Sequence, residues 1–264
     1  MPALSRLAKN FGAIGFVLAL LLAVTFLPPD NSLKEMQAGA TLRACVPPSY
    51  PPLVMNDAAR PGIDVELLRA IAARLHVGLA LNANDAIGRD FNPRNWGLNR
   101  AQCQVIAGGV VDSDLTRSFL ETAPPYAKTG WAVISPRPLD GFKGLNIGVV
   151  TLVSGLDRIG LASFLRGAGA KIEVVRTQDE LVSGIAARRF DAGITEALLA
   201  ARLATDHGLT VAWMPPELKR YGLVFGLWKG DVTLKRAINS AIDDLAADGT
   251  IAAILSRYAG ASLN

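Results

Sequence analysis

Apolar and polar positions in the first half of the chain follow the order strand, helix, strand, strand. Short β-like runs at residues 41–46 and 77–81 (TLRACV and VGLAL) and a continuous apolar run at residues 103–111 (CQVIAGGVV) predict strands. Residues 62–77 place apolar side chains at helical spacing, which predicts an amphipathic helix with Asp64 as its N-cap. This order of elements is typical of a largely parallel α/β sheet covered by helices.

The second half of the chain has the same alternation, with its own strands and helices. Strands are predicted at residues 131–136, 145–150, 171–175, 191–195, 210–214 and 221–227. Helices are predicted at residues 154–169, 177–190, 196–208, 233–249 and 250–260. Ser154 opens the first of these helices, and Thr177 has Glu180 at capping-box spacing. The pattern therefore predicts an α/β protein made of two units in tandem.

The N-terminal residues have a different pattern, in which Arg6 and Lys9 precede an uninterrupted apolar run. This order is that of an export signal, and the run of roughly 17 residues is also at the lower limit for crossing a bilayer. Residues 1–32 are therefore either a cleaved signal peptide or a retained membrane anchor. A buried core helix is disfavoured because the run has no polar face. The polar residues 31–40 are predicted to be a linker.

Composition narrows the classes of function. Half of the 264 residues are hydrophobic and 19% are charged, which excludes a largely disordered chain. The net charge of +4 comes from scattered lysines and arginines, so no nucleic-acid partner is predicted. His76 and His207 are isolated and no metal-ligand spacing occurs, so neither a metal nor a cofactor is predicted. Export would allow Cys45 and Cys103 to form a disulfide if their strands are neighbours, with two buried free cysteines as the alternative.

Four residues that follow predicted strands form a candidate binding site. In α/β sheets, ligands bind beyond the carboxyl ends of the strands, where Tyr50, Arg117, Ser154 and Glu196 lie. An arginine fork and a helix-start serine suit a carboxylate, a glutamate suits an ammonium, and a tyrosine ring provides a wall. Each residue alone more often has a structural role at such a position, but together they are suited to a zwitterion such as an amino acid.

From Leu42 to Gly260 the sequence resembles the bacterial extracellular solute-binding proteins of family 3. The matching segments are LRACVPPSYPPLVM, GIDVELLRAIAARL, TRSFLETAPPYAKTGWAVI, FKGLNIGVV, LVSGIAARRFDAGITE and the whole of residues 221–260. The resemblance implies a two-lobed periplasmic-binding-protein type II fold that closes on its ligand by a hinge. It also implies the lobe boundaries, with residues 33–128 and 222–264 in the first lobe and 129–221 in the second.

The same resemblance implies roles for the candidate residues. Tyr50 matches the aromatic residue that stacks on the ligand, and Arg117 matches the arginine that grips the α-carboxylate. Ser154 matches a second hydroxyl grip on that carboxylate, and Glu196 matches the acidic residue that takes the α-amino group. Asp112 lies near a position where the family usually has serine or threonine. A carboxylate there is able to neutralise Arg117, which favours a solute other than an ordinary amino acid.

The sequence thus predicts a non-catalytic, periplasmic solute-binding protein for a small carboxylated, amino-acid-like solute. Its partners would be the membrane subunits of an ABC importer, and the membrane itself if the N-terminal segment is retained. One alternative is an accessory protein of a periplasmic quinoprotein dehydrogenase, because the cysteine-containing segments resemble that smaller branch. A sensor or a dehydratase on the same fold is a further alternative.

Overall fold

The computed structural model of the chain describes residues 15–19, 29–88, 92–151 and 156–258. Met1–Asn31 and Ser32–Asn264 form two separate compact units. Most of the predicted signal or anchor segment lies outside the described residues, and residues 15–19 within it are helical. In the ranges given above, helices of the length and apolarity needed to cross a membrane are absent.

The unit Ser32–Asn264 alternates strands and helices. The strands are β1 (Thr41–Val46), β2 (Gly78–Ala83), β3 (Val105–Ile106), β4 (Leu120–Thr122), β5 (Ala127–Thr129), β6 (Trp131–Ser135), β7 (Asn146–Val150), β8 (Lys171–Val175), β9 (Ala192–Glu196), β10 (Thr210–Trp213), β11 (Tyr221–Leu223) and β12 (Gly226–Trp228). The helices are α1 (Ser32–Ala38), α2 (Ile63–Arg74), α3 (Asp114–Phe119), α4 (Arg158–Gly167), α5 (Gln178–Ala186), α6 (Ala197–His207), α7 (Val232–Ala247) and α8 (Thr250–Tyr258), and a short 3-10 turn covers Pro93–Trp96.

In the part of the chain that the structure describes, the strands form two five-stranded sheets and one two-stranded ribbon. The first sheet has the order β2-β1-β3-β12-β4 and the second β10-β6-β9-β7-β8. Both are mixed: β1 and β7 pair in parallel with their neighbours, whereas β12 and β6 pair antiparallel with theirs. The ribbon pairs β5 with β11 antiparallel, and it contains both connections between the two sheets.

Local sequence signals explain how several helices begin and end. The Thr177 hydroxyl accepts the N–H of Glu180 at 3.1 Å, which confirms the predicted cap of α5. Helix α6 ends at Gly208, whose φ of 64° is the left-handed conformation that glycine favours. Helix α7 buries one stripe of apolar side chains, Leu234, Ile238, Ala241, Ile242 and Leu245. Because that stripe has a regular helical period, this element was predictable from its pattern.

Three predicted elements differ from those observed. The polar stretch 31–40 is not a linker but contains α1, which buries Met36 and hydrogen-bonds its Ser32 hydroxyl to the N–H of Leu234. The strand predicted at 103–111 is limited to β3, because the glycines that follow it take positive φ angles. The run at 221–227 is divided between β11 in the ribbon and β12 in the first sheet.

The predicted starts of two helices also need correction. Asp64 is not the N-cap of α2: Gly62 holds that position, and the Asp64 side chain is fully buried. Helix α4 begins at Arg158, with Asp157 as the N-cap that accepts the Gly160 N–H at 2.8 Å. Ser154, predicted to open this helix, lies outside the described residues.

Cys45 and Cys103 form a disulfide. It joins β1 to the segment that precedes β3, and these two strands are neighbours in the first sheet. Both cysteines pack in an apolar cluster with Trp96 and Trp228, and the Trp228 indole N–H donates to the Cys103 carbonyl at 2.7 Å. The bridge therefore ties β1 to the segment that leads into β3, the central strand of the first sheet.

Candidate functional site

Five buried polar side chains meet where the two sheets are joined. We call them the buried polar cluster: Tyr50, Asp64, Tyr126, Thr129 and Glu196. Tyr50 follows β1 and Asp64 lies on α2, both on the side of the first sheet. Tyr126 and Thr129 flank or belong to β5, and Glu196 ends β9 of the second sheet. Each is at most 5% exposed, so the cluster is shielded from bulk water.

Asp64 organises one side of this cluster. One carboxylate oxygen accepts the backbone N–H groups of Gly108 and Gly109, at 2.6 and 3.3 Å, and the other accepts the Tyr126 hydroxyl. Burial raises the pKa of Asp64 to about 6, and these three hydrogen bonds oppose the rise because they stabilise the charged form. The carboxylate therefore links helix α2, the loop after β3 and the start of β5.

The loop that Asp64 holds approaches Tyr50 closely. A Cβ atom on Gly109 would lie 2.8 Å from the Cε1 atom of Tyr50, and one on Gly108 would lie 2.0 Å from the Cδ atom of Pro47. Both glycines also have positive φ, at 84° and 94°, so glycine is required there for backbone and packing reasons together. The position of the Tyr50 ring thus depends on this pair of glycines.

The Tyr50 hydroxyl is the least satisfied polar atom of the cluster. It is buried and has no hydrogen-bond partner among the described residues. Burial raises the pKa of Tyr50 well above its ordinary value, and the charges of Glu196 and Asp64 raise it further. Because a buried polar group without a partner costs stability, this hydroxyl is available to a bound molecule.

Glu196 brings a carboxylate from the second sheet. One of its oxygens caps α6 by accepting the Leu199 N–H at 3.0 Å, and the other accepts the Thr129 hydroxyl. Burial raises the pKa of Glu196, and the nearby Asp64 charge adds to that effect. Because the Asp64 charge disfavours a charge on Glu196, a cationic group near these buried carboxylates would be favoured.

Arg117 and Asp112 belong to a second, more exposed group. The Arg117 Nε and Nη2 atoms donate to the two oxygens of Asp112 at 2.7 and 3.0 Å, a two-point ion pair. The side chain of Arg117 is 56% exposed and that of Asp112 is 26% exposed. Asp112 raises the pKa of Arg117, mainly through these hydrogen bonds. The arginine proposed to hold a ligand carboxylate therefore already holds a carboxylate of the protein.

A cavity of about 280 Å³ lies beside the ribbon. Its lining includes Trp131, Asp157, Lys219 and Tyr221, and the Trp131 indole donates to the Asp157 carbonyl at 3.1 Å. Burial raises the pKa of Tyr221, and the charges of Asp157 and of Asp114 on α3 raise it further. The cavity is thus within electrostatic reach of the helix that carries Arg117.

The structure brings the sequence-predicted residues together in two pairs. Tyr50 and Glu196 share the buried polar cluster, and Asp112 and Arg117 form the exposed ion pair. Ser154 lies outside the described residues. Sequence reasoning missed Asp64, Tyr126 and Thr129. For Asp64 a signal existed, because it falls on the apolar stripe of α2 that continues through Leu67 and Leu68, where a carboxylate must be buried.

The chain has two mixed β-sheets covered by helices and joined by a two-stranded ribbon, and polar residues gather at that junction. This arrangement defines a two-lobed binding protein of the periplasmic type II class. Residues 42–261 match the family described as bacterial extracellular solute-binding proteins, family 3, and the chain belongs to this family.

Curated relatives match nearly the full length of the chain. The L-cystine-binding protein TcyJ of Escherichia coli (strain K12) is 23% identical over 96% of this chain and 95% of its own length. The L-arginine-binding protein of Pseudomonas aeruginosa is 26% identical over 91% of this chain and 93% of its own length. At these identities the relatives support a common family over the whole chain.

Solved structures agree on the fold. An ancestral cationic amino acid solute-binding protein, AncCDT-1, superposes with a TM-score of 0.73 at 19% identity, covering 86% of this chain and 99% of its own. A substrate-binding protein of an amino acid ABC transporter from Streptococcus pneumoniae, bound to L-arginine, superposes with a TM-score of 0.65 at 18% identity. The match covers 86% of this chain and 96% of that protein. The fold of this chain is therefore that of the type II periplasmic binding proteins.

Proposed function

We propose that this protein binds a small, carboxylated, amino-acid-like solute outside the cytoplasm and presents it to the membrane subunits of an ABC importer. The observation that carries the proposal is the buried polar cluster, in which Tyr50 from the side of the first sheet and Glu196 from the second lie within electrostatic reach. The names of the relatives, which bind cystine or arginine, support the solute class.

The proposed lobes are residues 33–128 with 222–264, and residues 129–221. Their boundaries coincide closely with the ribbon, since β5 and β11 are where the chain passes from one sheet to the other and back. Short crossing strands are positions at which a few backbone rotations would move one sheet against the other. Opening at the ribbon would give a solute access to the cluster, and closing would bury it.

The proposed contacts follow from the chemistry of each group. Glu196 attracts the solute's amino group, because a buried carboxylate gains stability from a neighbouring cation. Tyr50 offers its ring as a wall and its unpartnered hydroxyl as a hydrogen-bond group. Arg117 and Ser154 are proposed for the solute's carboxylate, with Asp112 beside Arg117 as the competing group. Neither a metal nor a cofactor is needed for these contacts.

The absence of catalysis is part of this proposal. The ancestral amino-acid-binding protein AncCDT-1, which has a similar fold, is a precursor of cyclohexadienyl dehydratase, so the fold itself is compatible with an enzyme. A dehydratase would turn over a cyclic acid, whereas an accessory protein of a periplasmic dehydrogenase would gain no stability from any small solute.

We also propose, from the sequence pattern, that the N-terminal segment directs export of the protein. If that segment is retained, it would tether the protein to the membrane.

A thermal-shift screen of the purified full-length protein tests the proposed function. A solute present at a hundred times its Kd should stabilise the folded protein by about 2.7 kcal/mol, and we expect such a shift from at least one amino acid. Glu196→Gln should lower the affinity for that solute about tenfold or more, because a charge-assisted hydrogen bond is replaced by a neutral one. The matched control is Arg166→Ala on the exposed side of α4, which should leave the affinity unchanged.

Two results would contradict the proposal. One is the failure of all amino acids, opines and dicarboxylates to raise the melting temperature of the wild-type protein, which would favour the accessory role. The other is an unchanged affinity in Glu196→Gln for a solute that does bind, which would place the binding site away from the buried polar cluster.

A further inference from the structure

The ion pair between Asp112 and Arg117 has the geometry of ligand recognition. Two nitrogens of one guanidinium group, Nε and Nη2, each donate to a different oxygen of a single carboxylate, at 2.7 and 3.0 Å. This is the two-point arrangement in which arginine recognises a free carboxylate. A carboxylate of the protein thus occupies the position that the carboxylate of a solute would need.

Asp112 is held in place by more than Arg117. Its backbone N–H donates to the Gly222 carbonyl of β11 at 2.9 Å, and one of its carboxylate oxygens accepts the Thr122 hydroxyl at 3.2 Å. The Asp112 side chain is also the less exposed of the two, at 26% against 56% for Arg117. Arg117 is therefore the partner that is free to move, and Asp112 is fixed to the ribbon that joins the sheets.

We propose that Asp112 determines solute selectivity by turning carboxylate recognition at Arg117 into an exchange of ion pairs. This inference rests on the proposed function. A solute that binds through its carboxylate displaces Asp112 from Arg117 and leaves the Asp112 charge beside the site. The solute that offsets this charge best carries a second cationic group, so the preferred class is cationic amino acids over neutral and acidic ones.

The surroundings of the pair make this exchange depend on the solute's charge. Asp114, on the same helix as Arg117, and Asp157 both act electrostatically on Tyr221 of the ribbon. Lys219 lines the adjacent cavity, but so do two carboxylates, Asp157 and Glu217. Release of Asp112 therefore leaves its negative charge unpaired near a cavity whose lining has two carboxylates and one lysine. An acidic solute is penalised most, and a cationic solute gains from the released carboxylate.

The affinities of wild type and Asp112→Asn for arginine, glutamine and glutamate, measured by titration calorimetry, test this inference. The asparagine keeps an oxygen for the Thr122 hydroxyl but loses the charge that pairs with Arg117. We expect glutamine to bind the variant about fivefold more tightly, as for the loss of a partly exposed ion pair, with a larger gain for glutamate and the smallest for arginine. Selectivity for arginine over glutamine should fall accordingly.

The control is Asp179→Asn, which removes one carboxylate charge from an exposed position in the first turn of α5. It should leave the ratio of the arginine and glutamine affinities within about twofold of wild type, because an exposed charge outside the site is largely screened. An equal change in both variants would show a general charge effect and overturn the exchange.

Two further outcomes distinguish the inference about Asp112 from the proposed function. If amino acids bind but Asp112→Asn leaves their ranking unchanged, the inference about Asp112 is wrong and the proposed function stands. If wild type and both variants bind none of the three amino acids, the inference about cationic amino acids is wrong, and the wider thermal-shift screen decides the proposed function.

Discussion

Asp64 is a carboxylate at the centre of the protein rather than at its surface. It accepts two backbone N–H groups and a tyrosine hydroxyl, and it lies near a second buried carboxylate, Glu196. These contacts explain why an ionisable side chain is retained in the first turn of α2, on the face that packs inward. They fix the loop against which the Tyr50 ring rests.

The raised pKa of Asp64 predicts how stability changes with pH. Its pKa is about 6 in the folded protein against 3.8 for an unperturbed aspartate, so the unfolded state releases this proton at lower pH. The free energy of unfolding should therefore fall as the pH rises from about 4 to about 6, at up to about 1.4 kcal/mol per pH unit, or about 3 kcal/mol in all. Below and above this window, Asp64 should contribute no further pH dependence.

Urea unfolding of wild type and Asp64→Asn at pH 4.5 and pH 7 measures this contribution. Other groups titrate in the same range, so the relevant quantity is the difference between the two proteins. The variant should lose less stability than wild type between the two pH values. A pH dependence identical in both would show that Asp64 has an ordinary pKa in the folded state.

Site residues were predictable where a local sequence signal marks them, and not where their role depends on tertiary contacts. Tyr50 lies in the loop after β1 and Glu196 is the last residue of β9, so chain order and the family resemblance together indicated them. Tyr126 and Thr129 lie in and beside a three-residue strand with no distinctive pattern, and their roles depend on partners more than 60 residues away in the sequence. Such contacts are set by the tertiary packing and have no local signal.

Elements with a long, regular period were predicted well, and short ones were not. Helices α7 and α8 are separated by Asp248 and Gly249, as the sequence indicated, since glycine takes the positive φ of 81° there. Helix α1 has two turns and a single buried side chain, Met36, so its apolar pattern is too short to detect. Strand β3 is two residues long because Gly108 and Gly109 bend away from the sheet toward Asp64.

The disulfide stabilises the first sheet, and its contribution can be measured. It closes a loop with a sequence separation of 58 residues, for which the loss of chain entropy in the unfolded state gives about 4 kcal/mol. Replacing both Cys45 and Cys103 by alanine should lower the melting temperature by roughly 8–16 °C for a protein of this size. The matched measurement is wild type with reductant, which should melt near the variant. A melting temperature unchanged in both would mean that the bridge does not contribute to stability.

At the scale of the whole molecule, the alternation of strands and helices indicated two α/β units but not their pairing. The pattern favoured largely parallel sheets, whereas both sheets are mixed. In the first sheet, β12 returns from the far end of the chain to lie between β3 and β4, where it runs antiparallel to both. In the second sheet, β6 runs antiparallel to β9 and β10. Periodicity contains no information about such a return, and the family resemblance was what implied it.

The two connections between the sheets have a functional consequence at the same scale. The backbone N–H of Asp112 is hydrogen-bonded to β11. Tyr126 precedes β5 and Thr129 belongs to it, and the Thr129 hydroxyl donates to Glu196 of the second sheet. Both groups of candidate residues are thus attached to the ribbon through which the sheets are joined. A solute that contacts them would also influence how the sheets are held together.

The proposed solute site lies at the junction of the two sheets, between Tyr50 and Glu196. The most direct measurement is a crystal structure of the protein with the solute that stabilises it most in the thermal-shift screen. We expect the solute to lie against the Tyr50 ring, with its amino group within about 3 Å of Glu196. A solute bound elsewhere, with the buried polar cluster unchanged and untouched, would contradict it.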